Sequence, residues 1–183
     1  MATITVGGLP GSGKSTFAKL LASKLGLEYL SAGQVFRQMA VESGMDLEAF
    51  SKKAERDHQI DRRVDEMQVR LARGKDMVVD SRLSAWMIKR PDLRVCLVAG
   101  FEERAKRIAE RDGLSTEEAI RRVREREESE RLRYKQIYNI DIGDMEVYDI
   151  VINSATYLPD EIVAIVRKAL DELGARGKRR RSK

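Results

Sequence analysis

The chain predicts an α/β fold, a parallel sheet of five strands covered by helices on both faces. Three observations carry that reading. Short apolar runs alternate with segments of helical periodicity along the 183 residues. The first apolar run leads through a glycine-rich loop directly into a helical pattern. Ser15, Ser31, Asp80 and Asn153 all fall near the carboxyl ends of apolar runs, where an open parallel sheet binds its ligand.

Thr3 to Gly7 reads as the first strand. A helix follows over 15–25, with Phe17, Leu20, Leu21 and Leu25 at helical spacing and Gly26 as its stop. Glu28 to Ser31 is a second short strand. Three helical segments are expected over 33–43, 46–56 and 57–73. The last carries Ile60, Val64, Met67 and Leu71 as a core-facing stripe, and Asp57, Asp61 and Asp65, spaced by four, as a solvated face. His58 beside them reads as a solvated helix-start residue. Met77, Val78 and Val79 form a third strand ending at Asp80, and Leu93 to Val98 a fourth. A helix is expected over 101–111. Ser115 with Glu118 three residues later is a capping-box signal that opens a long helix from 116. Asp149 to Asn153 is the fifth strand. The final helix starts at Pro159, a favoured first-turn residue, and is expected to stop at Gly174.

Composition bounds the function. No apolar run reaches 18 residues, and Lys14 and Lys19 interrupt the N-terminal apolar stretch, so neither a membrane span nor a signal peptide is expected. Cys96 is the only cysteine, which excludes an intrachain disulfide and reads as a small buried apolar residue. A cytoplasmic, monomeric protein is expected. The net charge of +5 is concentrated at one end: residues 176–183 hold Arg176, Lys178, Arg179, Arg180, Arg181 and Lys183 and no acid. Without them the body is close to neutral, so a basic nucleic-acid surface is not expected outside that tail.

Gly8-Leu9-Pro10-Gly11-Ser12-Gly13-Lys14-Ser15 fits G-x-x-x-x-G-K-[ST] at every specified position. The glycines let a loop wrap tightly, its backbone N–H groups reach phosphate oxygens, and the helix N-terminus adds its positive dipole end. Gly8, Leu9, Pro10, Gly11, Ser12, Gly13, Lys14, Ser15 and Thr16 are therefore expected to cradle the phosphates of ATP. Lys14 reaches the β- and γ-phosphates, and the Ser15 hydroxyl binds Mg²⁺. Asp80, at the end of an apolar strand, is expected to hold the same ion through water, and Arg82 two residues on offers a fork to an acceptor phosphate. Ser31 and Gly33 leave room beside the second strand, and Arg37 one turn later points back at the same place.

The run from Arg124 to Arg131 has no apolar residue, so as a helix it has no face to bury. On charge pattern alone it is a solvated helix. Beside a phosphate loop it also suits a mobile, arginine-bearing lid, with Arg126 and Arg133 on one face. Trp86 suits packing and base stacking equally.

Beyond the phosphate loop, several stretches resemble nucleoside monophosphate kinases, specifically the archaeal-type cytidylate kinases. They are Ser31-Ala32-Gly33-Gln34-Val35-Phe36-Arg37, Ser81-Arg82-Leu83-Ser84-Ala85-Trp86-Met87, Arg126-Glu127-Glu128-Ser129-Glu130-Arg131-Leu132-Arg133-Tyr134, Tyr138-Asn139-Ile140-Asp141-Ile142 and Tyr148-Asp149-Ile150-Val151-Ile152-Asn153. The likeness spans residues 1–170. It implies one kinase domain over 1–174, with a core of 1–32, 74–120 and 139–174, a monophosphate-binding lobe near 33–73, an arginine-rich lid near 121–138 and a basic tail at 175–183. It implies that Arg37 and Arg82 contact the acceptor phosphate and that Arg126 and Arg133 close over the phosphoryl groups. It further implies transfer of the γ-phosphoryl of ATP to CMP or dCMP. In the related bacterial enzymes an Arg-Asp pair stands where this chain has Arg82-Leu83, so the residue that reads the base is unassigned, although one of Asp57, Asp61 and Asp65 could accept from a cytosine amino group. Two alternatives are open: a kinase for AMP, UMP or another small acceptor on the same scaffold, and an ATP-dependent RNA or ribosome-assembly factor using the basic tail.

Overall fold

The computed structural model describes residues 2–181, with side chains to residue 174. Five strands form one sheet: β1 (Thr3–Gly7), β2 (Glu28–Ser31), β3 (Met77–Asp80), β4 (Leu93–Val98) and β5 (Ile150–Asn153). Every pairing is parallel, in the order β2-β3-β1-β4-β5. β1 is central, and Ile4 and Val6 are fully buried because helices cover both faces.

The helices are α1 (Lys14–Leu25), α2 (Ala32–Glu42), α3 (Leu47–Arg56), α4 (Gln59–Ala72), α5 (Ser84–Met87), α6 (Phe101–Asp112), α7 (Thr116–Tyr138) and α8 (Pro159–Arg181). The main core joins β1, β3 and β4 to Phe17, Ala18 and Leu21 of α1 and to Ile162, Val163 and Val166 of α8. A second cluster, Ala40, Phe50, Ala54 and Ile60, holds α2, α3 and α4 together, with Phe36 edge-on to Phe50 at 5.0 Å. Ser115 caps α7, its Oγ accepting the Glu118 N–H at 3.2 Å. Asn139 ends that helix at φ 55°, a left-handed position that asparagine tolerates.

Four sequence expectations are corrected. α8 runs through Gly174 to Arg181. An interior glycine costs a helix only about 1 kcal/mol relative to alanine, too little to stop one by itself. The basic side chains of the tail lie outside the described residues. The buried face of α4 is rotated from the apolar stripe: Ile60 and Val64 are buried, but Met67 and Leu71 only partly, and Asp61, Asp65 and Gln68 take the inward positions. The expected solvated acid face is therefore buried apart from Asp57. The charge run of α7 also buries a face, made of Ser129, Glu130, Arg133 and Tyr134. Finally, α5 is a four-residue helical turn, too short for helical periodicity to show in the sequence. Trp86 within it packs edge-on to Tyr148 at 5.7 Å, in a cluster with Leu83, Tyr134 and Ile142. Among the described residues no helix is long and apolar enough to cross a membrane.

Candidate active site

Sheet register sets the frame of the site. Val6 lies level with Asp80, and Ser31 lies level with Asp80 on its other side. The carboxyl ends of β1, β2 and β3 thus form one ledge. The loop from Gly8 to Gly13 climbs from that ledge into α1, whose first residue is Lys14.

Two glycines in this loop are demanded by the backbone. Gly8 and Gly11 have φ of 138° and 79°. A Cβ on Gly8 would stand 2.4 Å from the Leu97 carbonyl oxygen, and one on Gly11 would stand 2.4 Å from that of Arg104. Both glycines therefore combine a left-handed conformation with close backbone approach. Ser12 is fully buried, and its Oγ has no hydrogen-bond partner. Its carbonyl accepts from Ser154 Oγ at 2.7 Å, and Arg107 in turn donates to Ser154 Oγ and O at 3.0 and 2.9 Å. Arg104 braces the loop from the other side, donating to the Pro10 carbonyl at 3.1 Å and pairing with Glu127 of α7. Arg104 and Arg107 lie on a helix with ordinary surface periodicity, and only the packing of α6 on the loop gives them a task.

Lys14 sits among charges. Loss of hydration pushes its ammonium down to about 7, with Arg82 and Arg126 adding repulsion while Asp80 and Glu130 pull the other way. Lysine in such surroundings is poised to bind an anion that restores its charge. Asp80 is buried at the end of β3; its Oδ2 accepts from Tyr29 at 2.9 Å and from Ser31 at 3.4 Å. Its Oδ1 is buried without a partner. A carboxylate oxygen left open beside the Ser15 end of the loop fits a divalent cation that keeps most of its own waters. Among the described residues no group of three or more His, Cys, Asp and Glu could hold a metal alone. A cation here would draw on Ser15, Asp80 and phosphate oxygens.

The arginines are placed unequally. Arg82 is buried. Its Nη1 donates to the Gly8 carbonyl at 2.5 Å, its Nε to Glu130 at 2.5 Å, and its Nη2 has no partner. Arg126 is half-buried, and its Nε meets the other Glu130 oxygen at 2.9 Å. Arg37 is exposed; its guanidinium curls back to 3.5 Å from where a Cβ on Gly33 would stand. Partial desolvation and then Arg126 depress its affinity for a proton. Ser31 caps α2, its Oγ accepting from Gln34 N–H at 3.3 Å. Arg133 is directed elsewhere. It lies 2.9 Å from Asp61 Oδ2, at ion-pair distance but off the hydrogen-bond line, and Nη1 donates to Ser51 O and Ser129 Oγ. Lys14, Asp80, Arg82, Arg126 and Arg37 thus converge, and Arg133 ties α7 to α3 and α4.

A cavity of about 320 Å³ opens between α4 and the end of α7, lined by Arg62, Asp65, Val69, Met87 and Tyr138 among others. Asp65 accepts from Tyr138 at 2.7 Å and from Gln68 at 2.6 Å, and burial pushes its carboxyl up to about 7.

Comparison with known proteins matches residues 3–156 to the cytidylate kinase-like family. A cytidylate kinase of Pyrococcus horikoshii is 46% identical over 170 residues, which covers 93% of this chain and 88% of that protein. A cytidylate kinase of Methanocaldococcus jannaschii is 44% identical over 174 residues, covering 93% and 98%. Among solved structures, an uncharacterized protein from Eubacterium ventriosum superposes with a TM-score of 0.70 at 18% identity, covering 93% of this chain and 99% of that one. Shikimate kinase from Acinetobacter baumannii superposes with a TM-score of 0.60 at 17% identity, covering 94% of each chain. These two likenesses concern the fold.

Proposed function

This chain belongs to the cytidylate kinase-like family, and we propose that it transfers the γ-phosphoryl of ATP to CMP, and to dCMP, giving ADP and the diphosphate. The observation that carries this is the convergence of Lys14, Arg82, Arg126 and Arg37 on the ledge formed by β1, β2 and β3. Four cations around one carboxylate-bearing ledge suit two phosphate groups brought end to end.

In this reading the loop from Gly8 to Thr16 wraps the phosphates of ATP, and the α1 N-terminus and Lys14 bear on the β- and γ-phosphates. Ser31, Gly33, Arg37 and Arg82 hold the acceptor phosphate, with Arg82 Nη2 free to donate. That phosphate is already anionic, so attack needs no general base. The work is alignment and neutralisation of charge as the phosphoryl passes in line. Mg²⁺ would be held by Ser15 and by Asp80, directly or through water, and would supply positive charge that offsets the phosphates. Arg126 closes over the migrating group. Arg133 stands in the same row of α7, but a phosphoryl oxygen would have to displace Asp61 to reach it. The lobe is assigned to 33–73 and the lid to 121–138, within a kinase domain of 1–174. We assign base reading to the α4 cavity, where each Asp65 oxygen keeps a second lone pair for an exocyclic amino group. A cytoplasmic monomer completes the proposal.

The test is kcat/KM at saturating ATP for CMP, dCMP, UMP, AMP and GMP. CMP is expected to lead, followed by dCMP. UMP turns a carbonyl rather than an amino group toward Asp65, cannot donate there, and should lose about ten- to two-hundredfold. Purines should be poorer still. If AMP equals or exceeds CMP, the acceptor assignment is wrong. If ATP turnover answers to RNA and to no monophosphate, the kinase reading falls.

A further inference from the structure

We infer that Glu130 is a positioning residue for phosphoryl transfer, a single carboxylate that grips Arg82 and Arg126 by their Nε edges and sets the acceptor-side and lid arginines in register. The inference rests on the kinase reading above and assigns a residue that the reading does not use.

The geometry is specific. Glu130 Oε2 takes Arg82 Nε at 2.5 Å, and Oε1 takes Arg126 Nε at 2.9 Å. Carboxylate and guanidinium commonly pair two bonds to two along one edge. Here one carboxylate is divided between two arginines, one Nε to each oxygen. That spares the Nη groups. On Arg82, Nη1 is tied to the Gly8 carbonyl, which anchors the side chain to the phosphate loop, and Nη2 stays buried without a partner. A buried donor with no acceptor is rare in folded proteins, and this one is explained if an arriving phosphate oxygen accepts from it.

The electrostatics require such a residue. Lys14, Arg82 and Arg126 are close enough to repel one another, and Lys14 is pushed down by both arginines. Glu130 is the buried anion common to both arginines. Burial would push its carboxyl up, yet Arg82 and Arg126 hold it at about 2, so it stays ionised. Without it, two buried or half-buried guanidinium groups would face each other uncompensated, and at least one would swing toward solvent.

The experiment is steady-state kinetics of Glu130→Gln, which keeps the shape and removes the charge. An amide accepts from only one of the two arginines and turns its NH₂ on the other. A misplacement of this kind can cost about a hundredfold in kcat, and the KM for ATP, set mainly by the loop, should move less than about threefold. CMP and dCMP should lose by the same factor, because arginine alignment is common to both. In an Arg126→Ala background the added cost of Glu130→Gln should shrink to a small part of its value alone, since one of its two clients is gone. Three results would overturn the inference: a folded Glu130→Gln protein with kcat within about twofold of wild type, a loss confined to CMP that marks direct contact with the ribose hydroxyl, or equal losses in both backgrounds. If Glu130→Gln does not fold, Glu130→Asp keeps the charge but is too short to reach both partners. It should lose about tenfold or more in kcat, and unchanged turnover there overturns the inference equally. Wild-type turnover of CMP is the control on the reading itself. If wild type prefers another monophosphate, the acceptor assignment fails while Glu130 is still tested with that acceptor.

Discussion

Replacing Arg133 with alanine should destabilise the protein, and more so at alkaline than at acid pH. Arg133 is 2% exposed and pairs with Asp61, itself 3% exposed. It also donates to the Ser51 carbonyl of α3 and lies over the Phe36 ring of α2 at 5.4 Å. Truncation leaves a buried carboxylate without its counter-charge, a change that costs about 3–5 kcal/mol. For a chain of this size, that corresponds to a fall in Tm of roughly 6–20 °C. The pH dependence follows from Asp61. Burial pushes its carboxyl up to about 6 even with Arg133 pulling it down. A raised carboxyl pKa means that the folded state holds a proton the unfolded chain has lost, so this group's contribution to stability falls as pH rises from about 4 through 6. Without Arg133 the pKa climbs further, and protonation then relieves the unpaired charge over a wider range. The cost of Arg133→Ala should therefore be full near pH 8 and clearly smaller near pH 5. Arg133 also pulls the Asp65 carboxyl down, so its loss raises Asp65 in the same direction, and the Asp61→Asn background separates the two. Guanidinium unfolding at both pH values measures the cost, and Asp61→Asn/Arg133→Ala should recover most of the loss because both buried charges are gone. A loss below about 1 kcal/mol near pH 8, an equal loss at both pH values, or a double variant no better than the single one would refute the argument.

Lys14→Ala should lower turnover by at least about a hundredfold, as expected for a group bearing on the migrating charge; normal kcat in protein still folded by circular dichroism would remove Lys14 from the mechanism. Arg126→Ala should depress kcat more than ATP affinity, because the residue is assigned to the closed transition state; titration calorimetry with ATP beside steady-state rates separates the two. Gly11→Ala forces a side chain at φ 79° against the Arg104 carbonyl, and its ATP affinity should fall steeply with little change elsewhere in the circular dichroism spectrum. Asp65→Asn should narrow the preference for CMP over UMP by about tenfold or more, and an unchanged ratio of kcat/KM values would move base reading away from α4.

The phosphate loop was legible because its chemistry is local: the glycines, Lys14 and Ser15 must be consecutive for a backbone to wrap a phosphate. The strands were legible because each is a short apolar run beside turn residues, and the cap of α7 because Ser115 and Glu118 are three residues apart. The buried faces of α4 and α7 were not legible. Asp61, Asp65, Glu130 and Arg133 look like solvated charge in a sequence, since nothing along the chain indicates that α4 and α7 will bury them against each other or, for Glu130, against Arg82 48 residues away.

What the sequence determined by itself is the order of elements, the phosphate loop and the family. What only the tertiary structure decided is how the charges are divided. It gave Arg82 and Arg126 to Glu130, gave Arg133 to Asp61, and left Asp80 Oδ1 and Arg82 Nη2 open. The physical reason is that a charge takes its meaning from its partner and its exposure to water, and both are fixed by elements distant in sequence that meet only on folding.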